Sequence, residues 1–260
     1  MTTPALDPNA RAALVVAHPG HELRLHGWME KAHPLVFVLS DGSGREAFAR
    51  TESSVRAIQN SGARLGSIFG RWPDRDIYAA LLAHDHAKFL DVAAELAEAL
   101  VTERIDCVVC EAMEGHCSTH DVCRVLTAAA VREAQRRSGR EMACYEFPLL
   151  GRHDVLPDEL QQRAVLVKLD DAALARKIAA ARSYPELATE VEVAVATMGA
   201  EMFRVESLRP FDPKIAPAPF HEMPFYERHG ERIVAEGRYE NAIRYRAHFV
   251  PLAEALARVG

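Results

Sequence analysis

Two short apolar runs constrain this chain more than any other feature. Residues 12–16 (Ala-Ala-Leu-Val-Val) and 105–110 (Ile-Asp-Cys-Val-Val-Cys) are each long enough for one buried strand and too short for a buried helix. Each run breaks into a histidine-bearing loop, and each loop opens into helical sequence. The first loop is Ala17-His18-Pro19-Gly20-His21-Glu22. The second is Glu111-Ala112-Met113-Glu114-Gly115-His116-Cys117-Ser118-Thr119-His120-Asp121. Loops that follow parallel strands leave a sheet on one edge, the edge where open α/β sheets carry their functional crevice. His18, His21 and His120 are therefore expected to converge. Three protein ligands plus an open position is the composition of a hydrolytic zinc site. One such loop alone would be read as a turn-capping histidine beside a solvated one. Two loops on one edge favour a divalent metal.

The same alternation continues. Residues 35–39 and 65–70 supply further strands, and helices are expected over 47–61 and about 87–103, the latter with Phe89, Leu90, Val92, Leu96 and Leu100 at helical spacing. Later strands are expected at 144–147, 163–168 and 203–206, with a helix at 172–182. This predicts an α/β fold, a Rossmann-like, mainly parallel sheet with helices on both faces. Residues 1–209 form the expected catalytic domain and 210–260 an extension. Pro210, Pro213, Pro217, Pro219 and Pro224 make the start of that extension a non-helical linker. Helices are expected at 225–232 and 239–249, with aromatic, arginine and histidine residues interleaved. They form a clasp packed on the core, a substrate lid or an oligomer contact. Tyr226, Arg244 and Tyr245 are the residues placed nearest the substrate or a neighbouring subunit.

Composition narrows the function. A chain of 260 residues that is 49% apolar can bury one substantial core, and a net charge of −6 argues against a nucleic-acid surface. No stretch approaches a membrane span, and residues 1–8 lack a basic-then-apolar signal, so a soluble cytoplasmic protein is expected. Of the five cysteines, Cys107 and Cys110 lie in a strand with side chains on opposite faces and read as small core hydrophobes. Cys117 lies in the second histidine loop, where it is a soft donor that the histidines do not require.

The ordered motifs resemble those of the LmbE-like, or PIG-L, family of zinc-dependent N-deacetylases and amide hydrolases. That family's Ala-His-Pro-Asp-Asp-Glu motif is matched at Ala17, His18, Pro19 and Glu22. Its His-Pro-Asp-His motif is matched by residues 116–120, with one extra residue between the histidines. Leu39-Ser40-Asp41-Gly42-Ser43-Gly44 resembles the glycine-containing turn after strand two. Arg50-Thr51-Glu52, with Ala57 and Leu65-Gly66, resembles an Arg-x-Glu helix ending in Leu-Gly, and Trp72-Pro73-Asp74 resembles a Pro-Asp segment leading to the next helix. The resemblance spans roughly the first three-quarters of the chain.

The resemblance implies hydrolysis of the amide of an N-acylated amine or amino sugar, with Zn²⁺ held by His18, His21 and His120. His21 then stands where the family has a ligand aspartate. His116 is implied to stabilise the tetrahedral intermediate, and Arg50 to anchor substrate. The family's general base is an aspartate at the position of Gly20, which cannot accept a proton. General-base catalysis contributes roughly 10²–10⁴-fold, so Glu22, then Asp41 and Asp121, are candidates to replace it. Glu22 equally suits a helix N-terminus, where the dipole favours a carboxylate. Two alternatives stand beside the hydrolase: a binding or scaffold protein without hydrolytic activity, and a three-histidine iron site with other chemistry.

Overall fold

The computed structural model describes residues 3–44 and 48–259. Strand and helix alternate through β1 (Ala12–Val16), α1 (His26–Ala32), β2 (Leu35–Ser40), α2 (Thr51–Asn60) and β3 (Arg64–Trp72). Then follow α3 (Asp74–Leu82), α4 (His86–Thr102), β4 (Cys107–Glu111), α5 (Ser118–Ser138) and β5 (Ala143–Phe147). The chain continues through β6 (Val165–Lys168), α6 (Asp171–Arg182), α7 (Ala188–Met198), β7 (Val205–Pro210), α8 (Phe225–Ala235) and α9 (Val250–Ala257).

The strands form one seven-stranded sheet in the order β3-β2-β1-β4-β5-β7-β6. The first five in that order pair in parallel, and β7 runs antiparallel to both of its neighbours. The chain therefore winds outward from β1 through β2 and β3, then returns to lay β4 on the other side of β1, with Val15 opposite Cys110. That reversal is the topological switch point, where neighbouring loops diverge and leave a crevice. It falls between the two histidine loops.

Helices cover both faces, so β1, β2 and β4 are buried throughout. Ala13 and Val15 pack with Phe37, Leu96 and Leu126 on one face. Leu14 and Val16 pack with Trp28, Val36 and Leu174 on the other. Each such aliphatic side chain, fully buried, contributes about 1.5–3 kcal/mol. In α4 the buried face is Phe89, Val92, Ala93, Leu96, Ala97 and Leu100, at helical spacing, and Asp85 caps its start by accepting from the Lys88 N–H at 3.4 Å. No helix among the described residues is long and apolar enough to cross a membrane.

Several expected boundaries shift. The helix expected from Ala47 starts in residues that lie outside those described, and regular helix begins at Thr51. The last strand begins at Val205 rather than Phe203, which sits in a short 3-10 turn. Residues 239–249 are not a regular helix. They run irregularly to a π turn at Tyr245–Phe249, and the regular helix comes later, at α9. Burial explains the shift, because Phe249, Leu252 and Leu256 are the apolar face that packs into the core beside α4 and α5. Arg132 of α5 fastens this end by donating to the carbonyls of Leu256, Val259 and Pro213.

Candidate metal centre

Both histidine loops are shaped by local backbone chemistry. After β1 the Ala17 N–H donates to Glu111 Oε1 at 2.7 Å, tying the end of one strand to the end of the other. The chain then turns through Gly20, whose φ of +100° lies in the region that side chains resist. In the second loop Gly115 has φ +66°. Asp121 Oδ1 accepts the N–H groups of Glu114 and Gly115 at 3.0 and 3.1 Å, folding the loop back onto the start of α5. Cys117 is extended at the N-cap of α5, and His120 follows three residues later, one helical turn on.

His18, His21 and His120 converge. Their ring centres lie 5.2 Å (His18 to His21), 5.1 Å (His18 to His120) and 4.7 Å (His21 to His120) apart. Three imidazoles on one tetrahedral zinc, with Zn–N of about 2.0–2.1 Å, place their ring centres about 5 Å apart. His18 Nδ1 faces Ser40 Oγ at 2.6 Å and Asp74 Oδ1 at 3.0 Å, and His21 Nδ1 faces Glu111 Oε1 at 2.7 Å. A carboxylate on Nδ1 orients the ring and leaves Nε2 as the donor, the usual support of a metal-binding histidine. Two donor groups have their ligand atoms within 4.8 Å of one another: His18, Cys117 and His120, and His21, Glu111 and His120. Glu111 Oε2 is buried without a hydrogen-bond partner among the described residues.

The charge balance of this set suits exchange of protons for a cation. Burial pulls the His18 imidazolium down, but hydrogen bonds to Asp74 and Cys117 outweigh it and bring the group to about 10. His120 is raised in the same way against burial, by Glu111 and Cys117. Burial pushes the Cys117 thiol up, yet His120 and His18 more than offset it and hold the thiol well below its ordinary range. Burial raises Glu111 too, and the neighbouring His21 and His120 bring it below the usual carboxylate range. His21 is lowered, with burial exceeding the pull of Glu111. A buried set of thiolate and carboxylates is thus balanced by protons on imidazoles, the balance that a divalent metal replaces when it binds such ligands and releases their protons. The donor set fits a zinc-type ion.

The other expected site residues divide. Glu22 is fully buried, accepts the Gly20 N–H at 2.7 Å and the Ser54 hydroxyl, and so clamps the first loop to α2. It has the geometry of a structural carboxylate. Asp121 is also fully buried and acts as the loop fastener described above, with burial pushing it to about 7. Asp41 lines a cleft of about 550 Å³ together with Asp74, Arg75, Tyr78 and Tyr239. Arg50 donates from Nε to the Gly42 carbonyl at 2.7 Å, shaping the loop beside that cleft. His116 is exposed, stacks on Phe225 at 4.8 Å and belongs to neither donor group. Cys117 stands in its place, and residues 117–120 reproduce the four-residue span of the His-Pro-Asp-His motif with no insertion.

Asp74 and Glu111 were not assigned roles from sequence. Their signal is that each carboxylate follows or ends a parallel strand, on the same sheet edge as the histidines. Of the tail residues, Tyr226 packs at the second loop, its N–H donating to the Gly115 carbonyl at 3.4 Å. Burial and then the charge of Asp121 push its phenol up. Arg244 instead pairs with Glu231, and Tyr245 packs on Phe220 and Phe249.

No protein-family model matches the chain, and no curated protein matches it by sequence. Solved structures do. A deacetylase triple mutant from the teicoplanin biosynthetic pathway superposes with a TM-score of 0.52 at 13% identity, covering 77% of this chain and 97% of that one. The zinc-inhibited form of teicoplanin deacetylase Orf2 gives 0.51 at 12% identity, with the same 77% and 97% coverage. The conserved protein TT1542 from Thermus thermophilus gives 0.51 at 20% identity, covering 83% of this chain and 98% of that one. The likeness shows a shared α/β fold.

Proposed function

We propose that this protein is a metal-dependent amide hydrolase that removes an N-acetyl or similar acyl group from a sugar-derived or other small amine. The observation that carries the proposal is the convergence of three imidazoles, from two loops at the switch point, at ring spacings suited to one tetrahedral ion. The two structures of a teicoplanin-pathway deacetylase of similar fold support it. His18, His21 and His120 would hold the ion, zinc by the nature of the donors. When bound, such an ion supplies a Lewis acid to the amide carbonyl and makes water a nucleophile at neutral pH.

The chain's own residues supply the rest. Asp74 and Glu111 fix the ring orientations of His18 and His21. Asp41 and Asp74 both line the adjoining cleft, and Asp74 is engaged by His18, so proton acceptance falls to Asp41. Its Oδ1 is held by the Ser43 N–H at 2.9 Å, and Oδ2 is the atom assigned to take the proton. Tyr78 and Tyr239, with ring centres 5.9 Å apart, offer apolar faces to a substrate ring whose hydroxyls pair with Arg75.

A protein that binds without hydrolysing is the alternative, and Gly20 favours it. Its φ of +100° is a backbone conformation that an aspartate resists, and a Cβ there would press on the end of the Leu187 side chain, Cδ1 at 2.5 Å, so the family's aspartate is strained in this loop. Free-amine release from a panel of N-acetylated amino sugars and simple N-acylamines decides between them. Zinc-loaded protein is expected to release amine and chelator-treated protein is not. No release with zinc, cobalt or iron would contradict the hydrolase. Asp41→Asn is expected to lower turnover roughly 10²–10⁴-fold with metal retained.

A further inference from the structure

Cys117 occupies the position in the second loop where a histidine was expected, and its surroundings are those of a metal donor. It is extended at the N-cap of α5, and the next turn brings His120 alongside. Its Sγ lies 3.9 Å from His18 Nε2. That nitrogen is the one left over once Nδ1 has engaged Ser40 and Asp74. The ligand atoms of His18, Cys117 and His120 all lie within 4.8 Å of one another. Sulfur and nitrogen on one tetrahedral zinc, at about 2.3 and 2.0–2.1 Å from the ion, sit about 3.5 Å apart. The Sγ–Nε2 separation is thus within a few tenths of an ångström of that spacing. The other cysteines, Cys107, Cys110, Cys123 and Cys144, are buried in the core, and Cys117 is half-buried.

We infer that Cys117 binds the same metal as His18 and His120, making this a mixed nitrogen–sulfur centre rather than an all-imidazole one. The inference rests on the metal assignment made above. A thiolate is a soft donor, so the centre selects zinc, cobalt or iron(II) over magnesium and calcium. It also lowers the net charge of the centre by one, weakening its pull on a carbonyl oxygen. Hydrolytic zinc sites with thiolate ligands do exist, as in the nucleobase deaminases, so the assignment is compatible with catalysis. With His21 also bound, the ion would have four protein donors, and water or substrate would enter by displacing one or by expanding the shell.

Cobalt(II) titration of the full chain tests this directly. The wild type is expected to develop a near-ultraviolet sulfur-to-cobalt charge-transfer band that saturates at about one ion per chain. Cys117→Ser should abolish that band, keep the visible d–d bands and weaken cobalt binding at least about tenfold. His116→Ala should change neither. Iodoacetamide labelling read by peptide mass provides a second readout if the serine variant misfolds. Cys117 should be alkylated in chelator-treated protein and protected by added zinc. Bound cobalt without the band, or alkylation unaffected by zinc, overturns the inference. Failure to bind any of these ions overturns the metal assignment with it. A charge-transfer band in a protein that releases no amine leaves Cys117 as a ligand and removes only the hydrolase.

Discussion

Two clusters of buried charge lie in the same molecule, and they are built on opposite principles. The Lys177–Glu206 pair is answered from within. Glu206 accepts the N–H groups of Gly27 and Trp28 at 2.9 and 2.7 Å and the Lys177 ammonium at 2.8 Å, and the ammonium also donates to the Arg24 carbonyl at 2.7 Å. At the β1–β4 edge the charges are left open. Glu111 Oε2 is buried and unpartnered among the described residues, and the imidazoles turn their remaining nitrogens toward one another and toward Cys117. The closed cluster fastens α1, α6 and β7 together. The open one keeps a buried carboxylate oxygen without a hydrogen-bond partner among the described residues, the feature that distinguishes it from a structural ion pair.

The largest effect should come from opening the closed cluster. Lys177→Met leaves Glu206 charged and alone in the interior, and chemical denaturation should show a loss of about 3–5 kcal/mol. The loss should be the same with and without zinc. A loss below about 1 kcal/mol would erase the distinction between the clusters. Glu111→Gln makes the converse change. It removes the carboxylate that orients His21, and zinc affinity by calorimetry should drop roughly 10–100-fold. Unchanged affinity would mean that Glu111 does not support His21.

Acid sharpens the contrast next. His153, whose Nδ1 accepts the Ser207 N–H at 3.1 Å, is pressed to about 2 by burial and by the charges of Arg24 and Lys177. In the unfolded chain it titrates near its ordinary value of about 6.5. Below that pH the unfolded state takes up a proton that the native state refuses, so stability is present above about 6.5 and falls as pH drops. The slope from this residue is up to about 1.4 kcal/mol per pH unit. Denaturation between about pH 6.5 and 5 should be steeper for the wild type than for His153→Gln. Equal slopes would show that His153 is not held neutral. The smallest effect is expected at Tyr226, whose buried hydroxyl has no partner among the described residues. Tyr226→Phe should leave the melting temperature unchanged or slightly raised, and a clear loss would reveal a hydrogen bond there.

The strands and the meeting of the histidine loops were legible because they depend on order along the chain. An apolar run of five residues has one buried use, and parallel strands present their loops on one edge. The donors were less so, because they depend on a turn of backbone and on partners far along the chain. His116 and Cys117 are neighbours, and only the extended backbone at Cys117 decides which one faces His18. Glu22 became a clamp because Ser54, 32 residues away, meets it. Asp74 reaches His18 from a third loop whose sequence carries no histidine. In the tail, aromatic content suggested a helix over 239–249, whereas the burial of Leu252 and Leu256 sets the regular helix later.

The proposed function requires His18, His21 and His120 together to hold one divalent ion. Elemental analysis of zinc-reconstituted, dialysed protein tests it most directly, comparing the wild type with His120→Ala, the histidine common to both donor groups. About one zinc per chain in the wild type and almost none in the variant is the predicted result. Equal zinc in both proteins, or none in the reconstituted wild type, would contradict it.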